Sequence, residues 1–427
     1  MDNILKSRLY AIVLMFCMTA TLQVVSPVVC FAEEQVDSDS AAYDEMERLA
    51  EVMLHVKKYY VNEKSYEEII NGALHGILKG LDAHSDFLEP EAFSDIKEDT
   101  TGQYSGIGIY IAIKYGFLTI IAPIEDTPGY RAGLQSGDRI LKIDGEETRD
   151  ITQSEAVKKL RGPKGAKVTL TILSIGEEET KEVEIKRDMV EVPTVKGARI
   201  IGNDIGYIRI TQFSAPTADA FQKGLEKLID EGMSALVLDL RSNAGGLLRS
   251  AIEVSQKLLK EQQLIVSTKG REGVYDKVLS RARGKYHYED FDVAILINRW
   301  SASAAEIVAG ALKDNKRAVL VGSTSFGKGS VQSIIKLKSD KESAIRMTTQ
   351  LYYTPSGKQI HDKGIDPDIL VYVSPAEWRK VQIRRAHIEN PKHFADEDKE
   401  KYQDVVDHEL QRAVDLLRAL KVIKNQG

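Results

Sequence analysis

Residues 293–338 read VAILINRWSASAAEIVAGALKDNKRAVLVGSTSFGKGSVQSIIKLK, and the fold turns on how this stretch divides. VAILIN is a short apolar run ending at Asn298, which predicts a buried strand. ASAAEIVAGALKDN predicts a helix, and AVLVG a second buried strand. Strand, helix and strand in succession are the unit of a layered α/β protein. The next residues pose a question of chemistry. Gly322, Gly327 and Lys328 stand where a phosphate loop, G-x-x-x-x-G-K-[S/T], has its glycines and lysine. Position 329 is glycine, however, where such a loop needs a hydroxyl for magnesium. Ser330, Gln332, Ile334 and Lys336 then alternate with Val331, Ser333, Ile335 and Leu337, the period of a strand. A phosphate loop works by aiming a helix N-terminus at the phosphates. This loop lacks both hydroxyl and helix, which argues against a nucleotide-dependent enzyme.

The α/β alternation extends over 191–375. IGYIRITQF, ALVLDL, VAILIN and AVLVG read as strands, with helices between them and a polar excursion ahead of VAILIN. Residues 99–190 differ in texture. GIGIYIAI, FLTIIAPI, DRILKIDG, KVTLTIL and KEVEIKR are short strands, and TQSEAVKKLR is one helix with Thr152 as N-cap and Glu155 completing a capping box. After a polar linker, QVDSDSAA, residues 41–98 read as helical, closed by Pro90 and the acidic SDIKEDTTG. The segment 376–427 is helical and highly charged, with an apolar stripe at Val405, Leu410, Val414, Leu417 and Leu420.

At 427 residues, with 43% hydrophobic and 29% charged, the composition is that of a globular protein of two or three domains. A formal net charge of −6 gives no reason to expect nucleic acid as a partner. Residues 1–32 have the order of a secretory signal: Lys6 and Arg8, an apolar run from Leu9 to about Val25, then Ala32 before acidic sequence. The alternative is an uncleaved membrane anchor at the same place. The two cysteines, Cys17 and Cys30, both lie in this segment, so a chain cut after Ala32 has no cysteine nucleophile, disulfide or cysteine metal site. The eight histidines suggest no metal site and read as structural or exposed.

A lysine between glycines at the start of a strand suits a different chemistry. With its pKa depressed by burial it can act as base for a serine. Ser303 lies 25 positions earlier, at the start of the helix that follows VAILIN, where backbone N–H groups can also stabilise an oxyanion. Taken alone, Ser301 and Ser303 read as helix caps. The combination of SASAAEIVAGAL with VGSTSFGKGSVQ resembles the active-site region of the C-terminal processing peptidases, also called tail-specific proteases. GLDAHSDFLEPEAF, YSGIGIYI, PGYRAGLQSGDRILKIDG, LDLRSNAGGLL and YYTPSGKQIHDKGIDPDI extend the resemblance over most of the chain, in the family's order.

The resemblance implies a multidomain protease with a crotonase/ClpP-like α/β core, an inserted β-rich PDZ domain at 99–190 and helical terminal regions. It makes Ser303 the nucleophile, Lys328 the general base and Gln332 the residue that orients the lysine. It places the oxyanion hole at the N–H of Ala304 and at Gly245 or Gly246 of the glycine turn. Gly106, Ile107, Gly108 and Ile109 become the PDZ loop that takes a peptide's terminal carboxylate. Arg161 is a candidate for coupling peptide binding to the active site. Substrates would be proteins or peptides with free C-termini, the helical ends would form a homodimer, and neither metal nor cofactor is needed. A PDZ scaffold on a silent protease fold is the competing reading; an altered dyad or glycine turn would have favoured it.

Overall fold

The computed structural model describes residues 30–426 apart from positions 115, 125, 136, 175–176, 285–287, 289, 390 and 392–399. The export signal therefore falls almost wholly outside the described residues. Among these, no helix is long and apolar enough to cross a membrane. The chain divides into two units, Met1–Leu81 and Asp82–Gly427.

Among its described residues the first unit holds two helices, α1 (Cys30–Tyr59) and α2 (Tyr66–Lys79). QVDSDSAA, expected to be a linker, lies inside α1. It contains neither glycine nor proline, and polarity by itself does not break a helix. α2 starts on a capping box, with Glu68 N–H donating to Ser65 Oγ at 3.1 Å and Ser65 N–H to Glu68 Oε2 at 2.8 Å.

The second unit opens with β1 (Asp86–Leu88) and α3 (Pro90–Thr101), which correct the all-helical expectation for 41–98. Three residues carry no readable period. β1 exists because it pairs antiparallel with a distant strand, Asp86 opposite Arg346 and Leu88 opposite Ala344. Pro90 begins a helix instead of closing one, because the first helical position needs no N–H partner.

The middle domain comprises β2 (Gln103–Gly106), β3 (Ile109–Lys114), β4 (Phe117–Pro123), α4 (Pro128–Arg131), β5 (Arg139–Ile143), β6 (Glu146–Glu147), α5 (Gln153–Leu160), β7 (Lys167–Leu173), β8 (Lys181–Lys186) and β9 (Asp188–Glu191). Each strand read from the sequence is present, in an antiparallel sheet of order β3-β4-β5-β7-β8. Val168, Leu170 and Ile172 of β7 are fully buried while the residues between them face outward, as the two-residue period requires. α5 has its capping box, Glu155 N–H to Thr152 Oγ1 at 3.2 Å and Thr152 N–H to Glu155 Oε2 at 2.8 Å.

The core follows as β10 (Val195–Ile201), β11 (Ile205–Ile210), α6 (Thr217–Asp230), β12 (Ala235–Asp239), α7 (Leu248–Leu258), β13 (Leu264–Gly270), β14 (Val278–Arg281), β15 (Asp292–Ile297), α8 (Ala304–Asp314), β16 (Ala318–Gly322), β17 (Ser330–Lys336), β18 (Ala344–Tyr353) and β19 (Ile369–Leu370). The main sheet has order β10-β11-β12-β15-β16-β19 and is parallel from β11 onward. The polar excursion contains β13 and β14, which join β1, β17 and β18 in a second sheet.

Both faces of the main sheet are covered, which is why its strands read as continuous apolar runs. Leu236, Leu238, Ile295 and Ile297 pack with residues of α6, α7 and α8. Ala235, Val237, Ala294 and Leu296 face the other way, onto Val414 and Leu417. Those two belong to the last of the tail helices, α9 (Pro375–Glu389) and α10 (His408–Gln426). Leu410, Val414 and Leu417 of the apolar stripe read in 376–427 thus cover the chain's own sheet.

Charge fastens the tail as well. The Arg241 side chain is fully buried just beyond β12. Its Nε and Nη2 donate to Asp239 at 3.0 and 2.7 Å, its Nη1 and Nη2 to Asp407 at 2.8 Å each, and its Nη1 to Glu409 at 2.8 Å. Asp239 also accepts from the Tyr207 hydroxyl at 2.7 Å, and these partners hold its carboxyl well below the usual range against the opposing effect of burial. Removing one partner from a buried ionic cluster leaves the others uncompensated. Arg241→Ala is expected to destabilise the fold by about 3–5 kcal/mol, measured by urea unfolding beside the parent.

Candidate active site

The turn from β15 into α8 places Ser303. Asn298 N–H donates to Ser301 Oγ at 2.9 Å, and Ser301 Oγ donates to Leu240 O at 2.9 Å. Ala302 N–H donates to Asn243 O at 2.9 Å. Ser301 therefore pins this turn to the glycine turn after β12. Ser303 sits at the N-cap with φ 56° and ψ −116°, a conformation that a residue with a side chain holds only when its surroundings enforce it. A neighbour makes room for it. A Cβ on Gly245 would lie 2.7 Å from Ser303 Cβ and 2.9 Å from Ala302 O, so only glycine lets the two turns close to this distance.

Glu306, one turn into α8, joins this turn to the lysine loop. Its carboxylate is fully buried and accepts from Ser303 N–H at 2.7 Å, Ser325 Oγ at 2.6 Å, Gly327 N–H at 2.7 Å and Lys328 N–H at 2.9 Å. Burial pushes its pKa up while the four donors pull it down, and burial prevails. Lys328 is half-buried, and burial followed by the nearby charge of Arg346 lowers its pKa, the direction a base requires. A Cβ on Gly329 would lie 2.2 Å from His361 N, which accounts for the second glycine of the Gly-Lys-Gly run. The segment from Ser330 is β17, as the alternation predicts, and no helix follows the lysine.

Ser303 and Lys328 share Glu306 through their backbones, but no hydrogen bond joins their side chains among the described residues. Ser303 Oγ is instead 3.0 Å from the Tyr352 hydroxyl. Gln332 Nε2 donates to Ser330 Oγ at 2.9 Å and Thr348 Oγ1 at 3.3 Å, not to Lys328. Ala304 is the first residue of α8, where backbone donors lack partners within the helix. Gly245 N–H donates to Asn243 Oδ1 at 2.8 Å, so a role for it toward an oxyanion requires that bond to give way. Gly246 bridges to Phe213.

Lys328 lines a cleft of about 590 Å³ with His84, Trp300, Ala302, Phe326 and Trp378. The sequence reading treated His84 as structural or exposed; it lines this cleft, where burial and then the charge of Lys328 lower its pKa. Trp378, from α9, carries the Arg241 guanidinium 4.9 Å from its ring centroid. Glu306, Tyr352 and Trp378 were missed as site residues. Glu306 offered one signal, its place three residues after Ser303 in the capping pattern.

In the middle domain, Ile107, Gly108 and Ile109 line a pocket of about 210 Å³ with Tyr104, Leu160 and Arg161. Gly106 ends β2 beside it. Arg161 caps α5, donates to Glu98 of α3 at 3.1 Å and lies 4.7 Å from the Tyr104 ring centroid. None of its described partners is a catalytic candidate.

The sequence profile described as Peptidase family S41 matches residues 204–371, and that of the PDZ domain matches residues 119–174. A carboxy-terminal-processing protease of Bartonella bacilliformis is 40% identical over 339 residues, 78% of this chain and 77% of that one. The carboxy-terminal processing protease CtpB of Bacillus subtilis is 32% identical over 344 residues, 80% of this chain and 70% of that one. A solved S41 protease structure from Bacteroides fragilis superposes with a TM-score of 0.50 over 83% of this chain and 90% of its own, at 17% identity, a likeness of fold alone. Fold and sequence together define a peptidase with a PDZ domain. The chain belongs to peptidase family S41.

Glu306→Gln replaces one acceptor oxygen with a donor that faces donors already in place. It is expected to lower stability by about 2–3 kcal/mol, the scale of hydrogen bonds to a buried charge, and to suppress serine labelling at Ser303. Urea unfolding and labelling with a fluorophosphonate read the two effects separately.

Proposed function

We propose that this peptidase is a serine endopeptidase that captures the C-terminal tails of protein substrates in its PDZ domain and cleaves them with a Ser303–Lys328 dyad. The observation that carries the reading is Ser303 in its enforced conformation, bound through one buried carboxylate to the loop of a desolvated lysine. In this mechanism Ser303 Oγ attacks the scissile carbonyl carbon while neutral Lys328 Nζ takes its proton. Ala304 N–H and an N–H of the Gly245–Gly246 turn stabilise the oxyanion. The lysine then passes the proton to the leaving amine, and water resolves the acyl-enzyme. Gln332 would turn from Ser330 and Thr348 to orient Lys328. The names of the Bartonella and Bacillus relatives support processing at C-termini. Export rests on the signal read at 1–32, and homodimer formation on the exposed apolar residues Tyr43, Met46 and Val52 of α1.

The PDZ loop at 106–109 is assigned the substrate's terminal carboxylate, and Arg161 the link from that pocket to α3. Amidating a substrate tail removes the charge the loop binds, so amidated tails are expected to be cut more slowly than free ones. Arg161→Ala should lower turnover more than it lowers peptide affinity. Equal cutting of both tails, together with parental turnover in Arg161→Ala, would contradict this assignment.

Ser303→Ala and Lys328→Ala are each expected to abolish cleavage of an unstructured polypeptide, with the double mutant no worse than either single one. Only the neutral amine accepts a proton, so activity should rise with pH through the depressed pKa of Lys328 and be lost below it. Cleavage by Ser303→Ala at the parental rate excludes the dyad, and a correctly folded parent that cuts nothing favours the PDZ scaffold reading.

A further inference from the structure

Ser303 Oγ lies 3.0 Å from the Tyr352 hydroxyl, and either oxygen can be the donor. Tyr352 lies on β18, its side chain enclosed in the core behind the site, with only 4% of the residue exposed. Its backbone N–H donates to Gly329 O at 2.9 Å, so the residue next to Lys328 helps fix the tyrosine's position. Burial pushes the phenol up to about 12, which keeps it neutral in the working range of a lysine base.

A neutral phenol does nothing to activate a serine. If Ser303 donates to it, the serine proton is held by a group that does not take it away. If Tyr352 donates, it engages a lone pair that Oγ needs for attack. The first direction withholds the serine proton from Lys328; the second leaves that proton free but weakens Oγ as a nucleophile. Turning Oγ toward the lysine strands the tyrosine hydroxyl in a buried position, where a lost partner is expensive. A peptide running through the cleft brings carbonyl oxygens that can serve as the replacement acceptor.

We propose that Tyr352 is a latch on the nucleophile, holding Ser303 Oγ away from Lys328 until a bound polypeptide takes over its hydroxyl. The proposal rests on the reading of Ser303 as nucleophile and Lys328 as its base. Tyr352 is on this view a positioning residue. It acts through Ser303, and its effect is largest when the cleft is empty.

The test uses the full chain and two readouts, the rate of Ser303 labelling by a fluorophosphonate without polypeptide, and turnover of saturating β-casein. Tyr352→Phe removes only the hydroxyl. It is expected to speed substrate-free labelling by about two- to tenfold, the equilibrium range of one net hydrogen bond. Casein turnover should change by less, because substrate has already opened the latch. The gain in labelling should vanish in a Lys328→Ala background, where freeing Oγ has no base to reach. Unchanged or slower labelling of Tyr352→Phe overturns the latch, and so does a gain that survives in Lys328→Ala. If the phenylalanine variant melts below the assay temperature, Tyr352→Leu, which also lacks the hydroxyl, is judged by the same criteria. Labelling of Ser303→Ala at the parental rate sinks the nucleophile reading itself. Loss of labelling in Ser303→Ala with no gain in Tyr352→Phe sinks the latch alone.

Discussion

The buried carboxylate of Glu306 accepts from two segments that are distant in sequence, the turn at Ser303 and the loop at Ser325–Lys328. Neither would hold its shape alone. Ser303 stands in a backbone conformation that side-chain-bearing residues avoid, and the lysine loop depends on backbone approaches that glycines permit. One anion with four donors fixes both at once and leaves the side chains of Ser303 and Lys328 as the adjustable parts. In the proposed dyad, bringing the two side chains together is a matter of rotation on a set backbone, and Tyr352 touches the side chain that would rotate.

Around this centre the layers do mechanical work. Arg241 lies between the end of β12 and the glycine turn, and its carboxylate partners Asp407 and Glu409 come from the tail. Trp378 connects the same cluster to the cleft wall. On the opposite side, Arg161 meets Glu98 of α3; α3 follows β1; and β1 pairs with β18, which carries Tyr352. The pocket at 106–109 and Ser303 are thus connected through one ion pair, the chain from α3 back to β1, the β1–β18 pairing and the Tyr352–Ser303 hydrogen bond. Any coupling between them has this route available.

What was legible in the sequence follows from how local each feature is. The strands of the middle domain show in their two-residue period, and α5 shows in Thr152 and Glu155, because such signals reside within a few neighbouring residues. VAILIN and ALVLDL read as buried because both faces of their sheet are covered. β1 could not be read: three residues become a strand only through pairing more than two hundred positions away. The QVDSDSAA segment misled because composition is a weaker guide to helix ends than the presence of a breaker. At the site, Ser303 and Lys328 were singled out by motif and spacing, and the structure links their backbones through Glu306. Tyr352 was not, since nothing in LYYTPSG says that its hydroxyl reaches a serine 49 positions away. The stripe on the tail was read as apolar, but what Leu410, Val414 and Leu417 pack against was not, because a periodic pattern tells which face is buried and not what buries it.

The layer formed by α10 has a consequence for the order in which the molecule comes into being. Every residue of the nucleophile turn, the lysine loop and the glycine turn precedes α10 in the chain. A nascent polypeptide that has been extended only through β19 already contains Ser303, Glu306 and Lys328, yet Val414 and Leu417 are missing from one face of its central sheet and Arg241 lacks two of its carboxylates. With Asp239 alone left to it, the buried guanidinium is only partly compensated, which disfavours the closed core. Translation order therefore separates synthesis of the candidate site from its packing, and a chain released before His408 carries Ser303 and Lys328 without the helix that covers the sheet behind them.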